Sequence, residues 1–198
     1  MKKIGLYFGT FNPIHVGHLV IANYMANYTD LEEVWLVVSP QNPFKEKDSM
    51  LEDYHRLSLV KIAVEDNSQL KASNIEFNLP KPSYTINTLV YLNEKHPTNE
   101  FNLIMGEDNL RTFHKWKNYE RILEKSNLYV YPRVLNPQTE KKTNSPLHNH
   151  PKVKICDAPV MKISSSFIRN AIKNNTDVRY MLTEKVAKYV EEMHFYKK

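Results

Sequence analysis

The 198-residue chain has one cysteine, four glycines and two tryptophans. It has no apolar run approaching the ~18 residues that a bilayer-spanning helix needs. A single cysteine excludes an internal disulfide and suits a reducing compartment. Cys156 stands in "VKICDAP", where it reads as a small core residue, with a reactive thiol as the alternative. The stretch "MKKIGLYFG" carries basic residues, but its apolar part is too short for a secretory signal. The expected location is therefore cytoplasmic, away from any membrane. Lysine and arginine form no concentrated block, which argues against a dedicated nucleic-acid partner. What is left is an ordinary globular composition with a net charge of +5. That excess suits an anionic ligand, a nucleic acid or an anionic surface, and equally a mildly basic exterior with no special use.

Short, β-rich apolar runs recur at residues 4–8, 34–38, 101–105, 128–131 and 153–155. They do not alternate with polar residues, which predicts strands buried on both faces of a parallel sheet. Between them Met50, Tyr54, Leu57, Val60 and Val64 fall at helical intervals. Leu182, Val186, Tyr189, Val190 and Met193 do the same, after Thr183 as a capping candidate. Alternating strands and helices imply right-handed crossovers and an α/β, doubly wound parallel sheet flanked by helices. One domain over 1–198 is the simplest division. Residues 134–150 are polar and interrupted by proline. They read as a surface loop or flap over the site rather than a linker, because too little chain follows for a second core.

The scarce glycines are not spread evenly: two of the four lie in "GTFNPIHVGH", residues 9–18, each near a histidine. The stretch follows the first strand and precedes a helical run, so it occupies the end of the sheet where such folds bind ligands. Gly9 would let a ligand approach the backbone, and Pro13 prevents the helix from starting at once. With a helix beginning near Val16, His15 and His18 share a face at spacing i, i+3. A helix start presents unpaired N–H groups and positive potential, which suits phosphate; Gly17 would leave room for a bulky anion. A His-x-x-His pair can also bind metal, but no third ligand of matching type lies nearby. Far along the chain, "ISSSFIRNAI" at residues 163–172 forms another strand-to-helix junction. Its serines can offer hydroxyls and N–H groups to phosphates, and Arg169 a charged fork.

The two junctions together resemble the paired signatures of the nucleotidyltransferase superfamily. Within it, nearly the whole chain resembles the bacterial nicotinate-nucleotide adenylyltransferase family. Three further stretches carry that likeness: "SYTINTL" at 83–89, "MGEDNLRTFHKWKNYERIL" at 105–123 and "SPQNPFK" at 39–45. The resemblance implies a Rossmann-like fold and adenylyl transfer from ATP to nicotinate mononucleotide, giving nicotinate adenine dinucleotide and pyrophosphate. It implies that His15, His18, Lys45 and Arg169 act in catalysis. ATP would be bound by Gly9, Thr10, Phe11, His18, Gly106, Asp108, Arg133, Ser164, Ser165, Ser166, Phe167, Ile168 and Arg169.

For the acceptor the resemblance implies Tyr84, Thr85, Trp116 and Lys117, with Trp116 stacked on the nicotinate ring. Taken alone, Trp116 would read as a half-buried core aromatic and Asp108 as a helix cap. Mg²⁺ would be carried mainly by the ATP phosphates, so no dedicated protein metal ligand is expected, and self-association is left open. The chain departs from the family pattern at Asn12 and Asn87, where aspartate is common, and at Lys117, where an aromatic is common. Both asparagines are expected in cap or turn roles. Two rivals share the fold: a phosphopantetheine adenylyltransferase and a non-catalytic nucleotide-binding protein.

Overall fold

All five apolar runs are strands in the computed structural model, which describes residues 1–40, 50–133 and 145–197. They are β1 (Lys2–Gly9), β2 (Glu33–Val38), β4 (Asn99–Gly106), β5 (Leu128–Tyr131) and β6 (Val153–Ile155), joined by β3 (Leu70–Ser73). The sheet order is β3-β2-β1-β4-β5-β6, and every pairing is parallel. Seven α-helices are present among the described residues: α1 (Val16–Tyr28), α2 (Asp53–Val64), α3 (Thr85–Lys95), α4 (Glu107–Thr112), α5 (Tyr119–Lys125), α6 (Ser165–Lys173) and α7 (Glu184–Glu192). None of them is long and apolar enough to cross a membrane.

The absence of alternation in the strands has a direct cause. Successive residues point to opposite faces of a strand, and both faces are covered. Val34, Leu36 and Val38 pack with Ile21, Met25, Leu59, Ile168 and Val186 of α1, α2, α6 and α7. Ile4, Leu6, Phe101 and Leu103 pack with Leu89, Leu110 and Ile122 of α3, α4 and α5. The helices thus change sides between β1 and β4, the two central strands, which leaves a crevice beyond their carboxyl ends.

Some expectations change in detail. Thr183 does precede α7, but its hydroxyl makes no capping bond and is buried without a hydrogen-bond partner. Cys156 is half-buried beside the core, and burial pushes its thiol pKa up. That makes it a poor nucleophile. Of the expected loop at 134–150, residues 134–144 lie outside the described residues. The rest is anchored: Ser145 is buried and donates to the Leu110 carbonyl at 2.9 Å, and Leu147 packs on the second core cluster.

Candidate functional site

A cavity of about 640 Å³ opens beyond the ends of β1 and β5, walled by the starts of α1 and α6. The chain leaves β1 through a tight turn in which Phe11 takes a left-handed conformation, φ 45°. No glycine of the chain has a positive φ, so glycine serves another purpose here. A Cβ on Gly9 would meet the Phe11 ring at 2.9 Å, and one on Gly17 would meet the His15 ring at 3.1 Å. The space expected for a ligand at these two positions is therefore taken by neighbouring side chains that themselves line the cavity. A Cβ on Gly106 would likewise clash with a neighbour, the Asp108 carboxylate.

The helix does begin at Val16, with His15 as its N-cap. The two imidazoles stack, centroids 3.7 Å apart, and the His15 N–H donates to Nδ1 of His18 at 3.2 Å. His15 is buried; burial and, after it, the Arg133 guanidinium hold its pKa down to about 4. It is therefore neutral at pH 7 and can give a phosphate hydrogen bonds but no full charge. Tyr7 flanks His18 at 6.2 Å between centroids and meets the Tyr131 hydroxyl at 3.3 Å.

The second junction reaches back to the first. Ser164 caps α6 by accepting from the Phe167 N–H, Ser165 donates to the Pro13 carbonyl at 2.9 Å, and Ser166 accepts from Arg169 at 3.3 Å. Arg169 also donates to the Asn12 carbonyl at 2.8 Å. Neither α1 nor α6 has an acidic residue in its first turn, so nothing cancels the positive potential at the two helix starts. Phe167 is exposed, whereas Ile168 is fully buried in the core, so only the Ile168 backbone is available to a ligand. Among the described residues lining the cavity there is no carboxylate, and no three His, Cys, Asp or Glu side chains are placed to hold a metal ion.

Arg133 lines the cavity and pairs with Asp108 at 2.5 Å, while Asp108 Oδ1 is buried without a partner. Gly106 and Asp108 are not among the residues that line the cavity, and Asp108 meets it through Arg133. Tyr84, Thr85, Trp116 and Lys117 form a separate group outside it. Tyr84 is the N-cap of α3, with Thr85 its first residue, and the Lys117 ammonium sits 4.2 Å over the Tyr84 ring. Trp116 is half-buried, 5.1 Å from Phe113, so the core reading of this residue also holds. Lys45 lies outside the described residues.

Asn12 plays more than a turn role: its Oδ1 accepts from the Leu51 N–H at 3.2 Å. Asn87 lies inside α3 and is exposed, and the side chain of the α3 N-cap makes no capping bond. Arg56 carries no sequence signal, yet it is fully buried. Its guanidinium donates to the carbonyls of Thr10, Ser39, Pro40 and Leu51. It ties the exits of β1 and β2 together from beneath.

Residues 6–171 match the cytidylyltransferase-like family. The chain is 54% identical over 196 residues to a probable nicotinate-nucleotide adenylyltransferase of Flavobacterium johnsoniae, covering 99% of this chain and 100% of the relative. Its identity to the corresponding protein of Flavobacterium psychrophilum is 57%, with the same coverage. In fold it is similar to Plasmodium falciparum nicotinic acid mononucleotide adenylyltransferase complexed with NaAD. That match has a TM-score of 0.78 at 19% identity, covering 99% of this chain and 98% of the other.

Proposed function

The chain belongs to the cytidylyltransferase-like family, and from that premise we propose how its site carries out adenylyl transfer. It is an enzyme that moves the adenylyl group of ATP to nicotinate mononucleotide, yielding nicotinate adenine dinucleotide and pyrophosphate. A phosphate oxygen of the acceptor attacks the α-phosphorus of ATP, and the bond to the pyrophosphate oxygen breaks. That nucleophile is already ionised at pH 7, so the reaction needs alignment and charge stabilisation rather than a base.

One observation carries the assignment of roles. The two junctions, about 150 residues apart, are bonded to each other by Ser165 on Pro13 and Arg169 on Asn12. His18 and neutral His15 would donate to the α-phosphate side of the triphosphate. Arg169 and the N–H groups of Ser164, Ser165 and Ser166 would hold the charge that develops on pyrophosphate. Lys45 is proposed for the same phosphates. Gly106 and Asp108 would meet the ribose, with the unpartnered Oδ1 of Asp108 accepting a hydroxyl, and Arg133 would turn to phosphate.

Tyr84, Thr85, Trp116 and Lys117 would take the acceptor, Trp116 by stacking on its ring. With no carboxylate on the described wall of the cavity, Mg²⁺ would be held by ATP and water. When bound, it neutralises phosphate charge. We place the work in the cytoplasm, in keeping with one half-buried thiol, and with no nucleic-acid partner.

The test is pyrophosphate release with ATP and Mg²⁺, run in parallel on nicotinate mononucleotide, its amide and phosphopantetheine. The first is expected to dominate, and a preference for phosphopantetheine would overturn the acceptor. His18→Ala is expected to lower turnover far more than mononucleotide affinity; near-normal turnover would remove its role.

A further inference from the structure

The motif turn at Thr10–Pro13 is gripped from several directions, among them the Leu51 N–H on Asn12 Oδ1. From below, Arg56 holds the Thr10 carbonyl at 2.6 Å. From α6, Arg169 holds the Asn12 carbonyl at 2.8 Å. From the segment after α7, the Tyr196 hydroxyl donates to Asn12 Oδ1 at 2.8 Å. We propose that Tyr196 is a positioning residue for the triphosphate half of the site, acting through Asn12 on Arg169.

The geometry supports this in three ways. Tyr196 is set by its own surroundings, because its backbone is left-handed at φ 62° and its ring lies 6.2 Å from Phe195. Phe195 is in turn wedged against His55 of α2 and Tyr189 of α7 at 4.7 and 5.9 Å. The hydroxyl is therefore delivered by packing and not by a free side chain. Second, burial pushes its phenol pKa far up, against the pull of Arg169 and Arg56; it stays protonated and so keeps the proton that it donates to the Asn12 amide oxygen. Third, one residue, Asn12, receives both contacts: its side chain takes Tyr196 at 2.8 Å and, more loosely, the Leu51 N–H at 3.2 Å, and its carbonyl takes Arg169. A rotation of Asn12 on losing the first would alter the second. Arg169 lines the cavity beside Ser166, so the disturbance reaches the phosphates while leaving Tyr84, Thr85 and Trp116 untouched.

The inference rests on the proposed ATP role of Arg169, so its test is kept independent of the acceptor. Tyr196→Phe keeps the ring and removes one donor. Titration of the variant with ATP should give a dissociation constant raised about fivefold, the scale of one hydrogen bond. The KM for nicotinate mononucleotide should stay within about twofold, and the melting temperature should fall by no more than about 4 °C, the scale of that same hydrogen bond. Asn12→Ala should weaken ATP binding as well, and adding Tyr196→Phe to it should bring no further loss, because the two act in series. An unchanged ATP constant in Tyr196→Phe would overturn the proposal, as would equal losses for both substrates or an additive double variant. If the wild type binds ATP yet fails to turn over nicotinate mononucleotide, the acceptor assignment falls and the ATP titrations still decide the role of Tyr196.

Discussion

Replacing Arg56 by methionine is the strongest test of how the site is held in place. The side chain is 0% exposed. It donates to Leu51 O at 3.0 Å, Thr10 O at 2.6 Å, Ser39 O at 2.9 Å and Pro40 O at 2.8 Å, with Asp53 as its ion partner. Methionine fills a similar volume, so little of the loss would come from a cavity. What is lost is four carbonyl contacts to a charged donor, each with a net worth of about 1 kcal/mol or more. Against that stands the desolvation cost of a buried guanidinium, which methionine does not bear. Asp53 is partly exposed and can turn to water. The balance is a loss of about 3–4 kcal/mol, or roughly 10 °C in melting temperature for a domain of this size. Urea unfolding followed by the fluorescence of Trp35 and Trp116 measures it directly. Arg56→Lys keeps the charge but not the planar fork, and should fall between wild type and methionine. A loss below about 1 kcal/mol for Arg56→Met would refute the idea that this side chain fastens the two strand exits.

Three further outcomes are expected. His15 resists protonation in the fold, with a pKa of about 4 against 6.5, so the unfolded chain binds its proton first as pH falls. Its contribution is fully present above pH 6.5 and is lost on the way down to about 4, a fall of about 3 kcal/mol that His15→Asn should remove from the stability–pH curve. Gly106→Ala would push a methyl group onto the Asp108 carboxylate and against Arg133. The KM for ATP should rise by about tenfold with the mononucleotide KM little changed, and the reverse pattern would move Gly106 to the acceptor side. Trp116→Ala should raise mainly the KM for the mononucleotide, by about tenfold; a rise confined to ATP would place the indole against adenine instead.

Much of this fold is legible because its strands are buried on both faces and its helices on one. The run at 101–105 follows from that difference. The stripe from Met50 to Val64 holds only in part: Val60 and Val64 are buried, but Tyr54 is 61% exposed, and α2 turns Arg56, Leu59 and Ala63 to the core instead. β3 is not legible: "LKAS" buries only Leu70, and an edge strand this short has no periodicity to show. The two junctions at residues 9–18 and 163–172 stand out because their residue types are unusual for strand-to-helix turns. Arg56 and Tyr196 do not stand out, because their partners are backbone carbonyls and a side chain distant along the chain. An arginine amid helical spacing looks the same whether it faces water or four carbonyls. The glycines of the two motif stretches have a packing reason that the sequence does not display. They make room for Phe11, His15 and Asp108, and those side chains then face or back the cavity.

The contacts that close the proposed triphosphate cradle span 152 residues from Ser165 to Pro13, 157 from Arg169 to Asn12 and 184 from Tyr196 to Asn12. On a translating ribosome the histidine half is made early and waits for its counterpart. At ordinary synthesis rates that wait is roughly ten to thirty seconds. During it β1, β2 and β4 can pair and bury their side chains, but the nucleotide cannot yet be held. On the proposed roles, ATP binds only once residues 164–196 have been made, and so cannot assist the earlier pairing of β1, β2 and β4 on which its site is built.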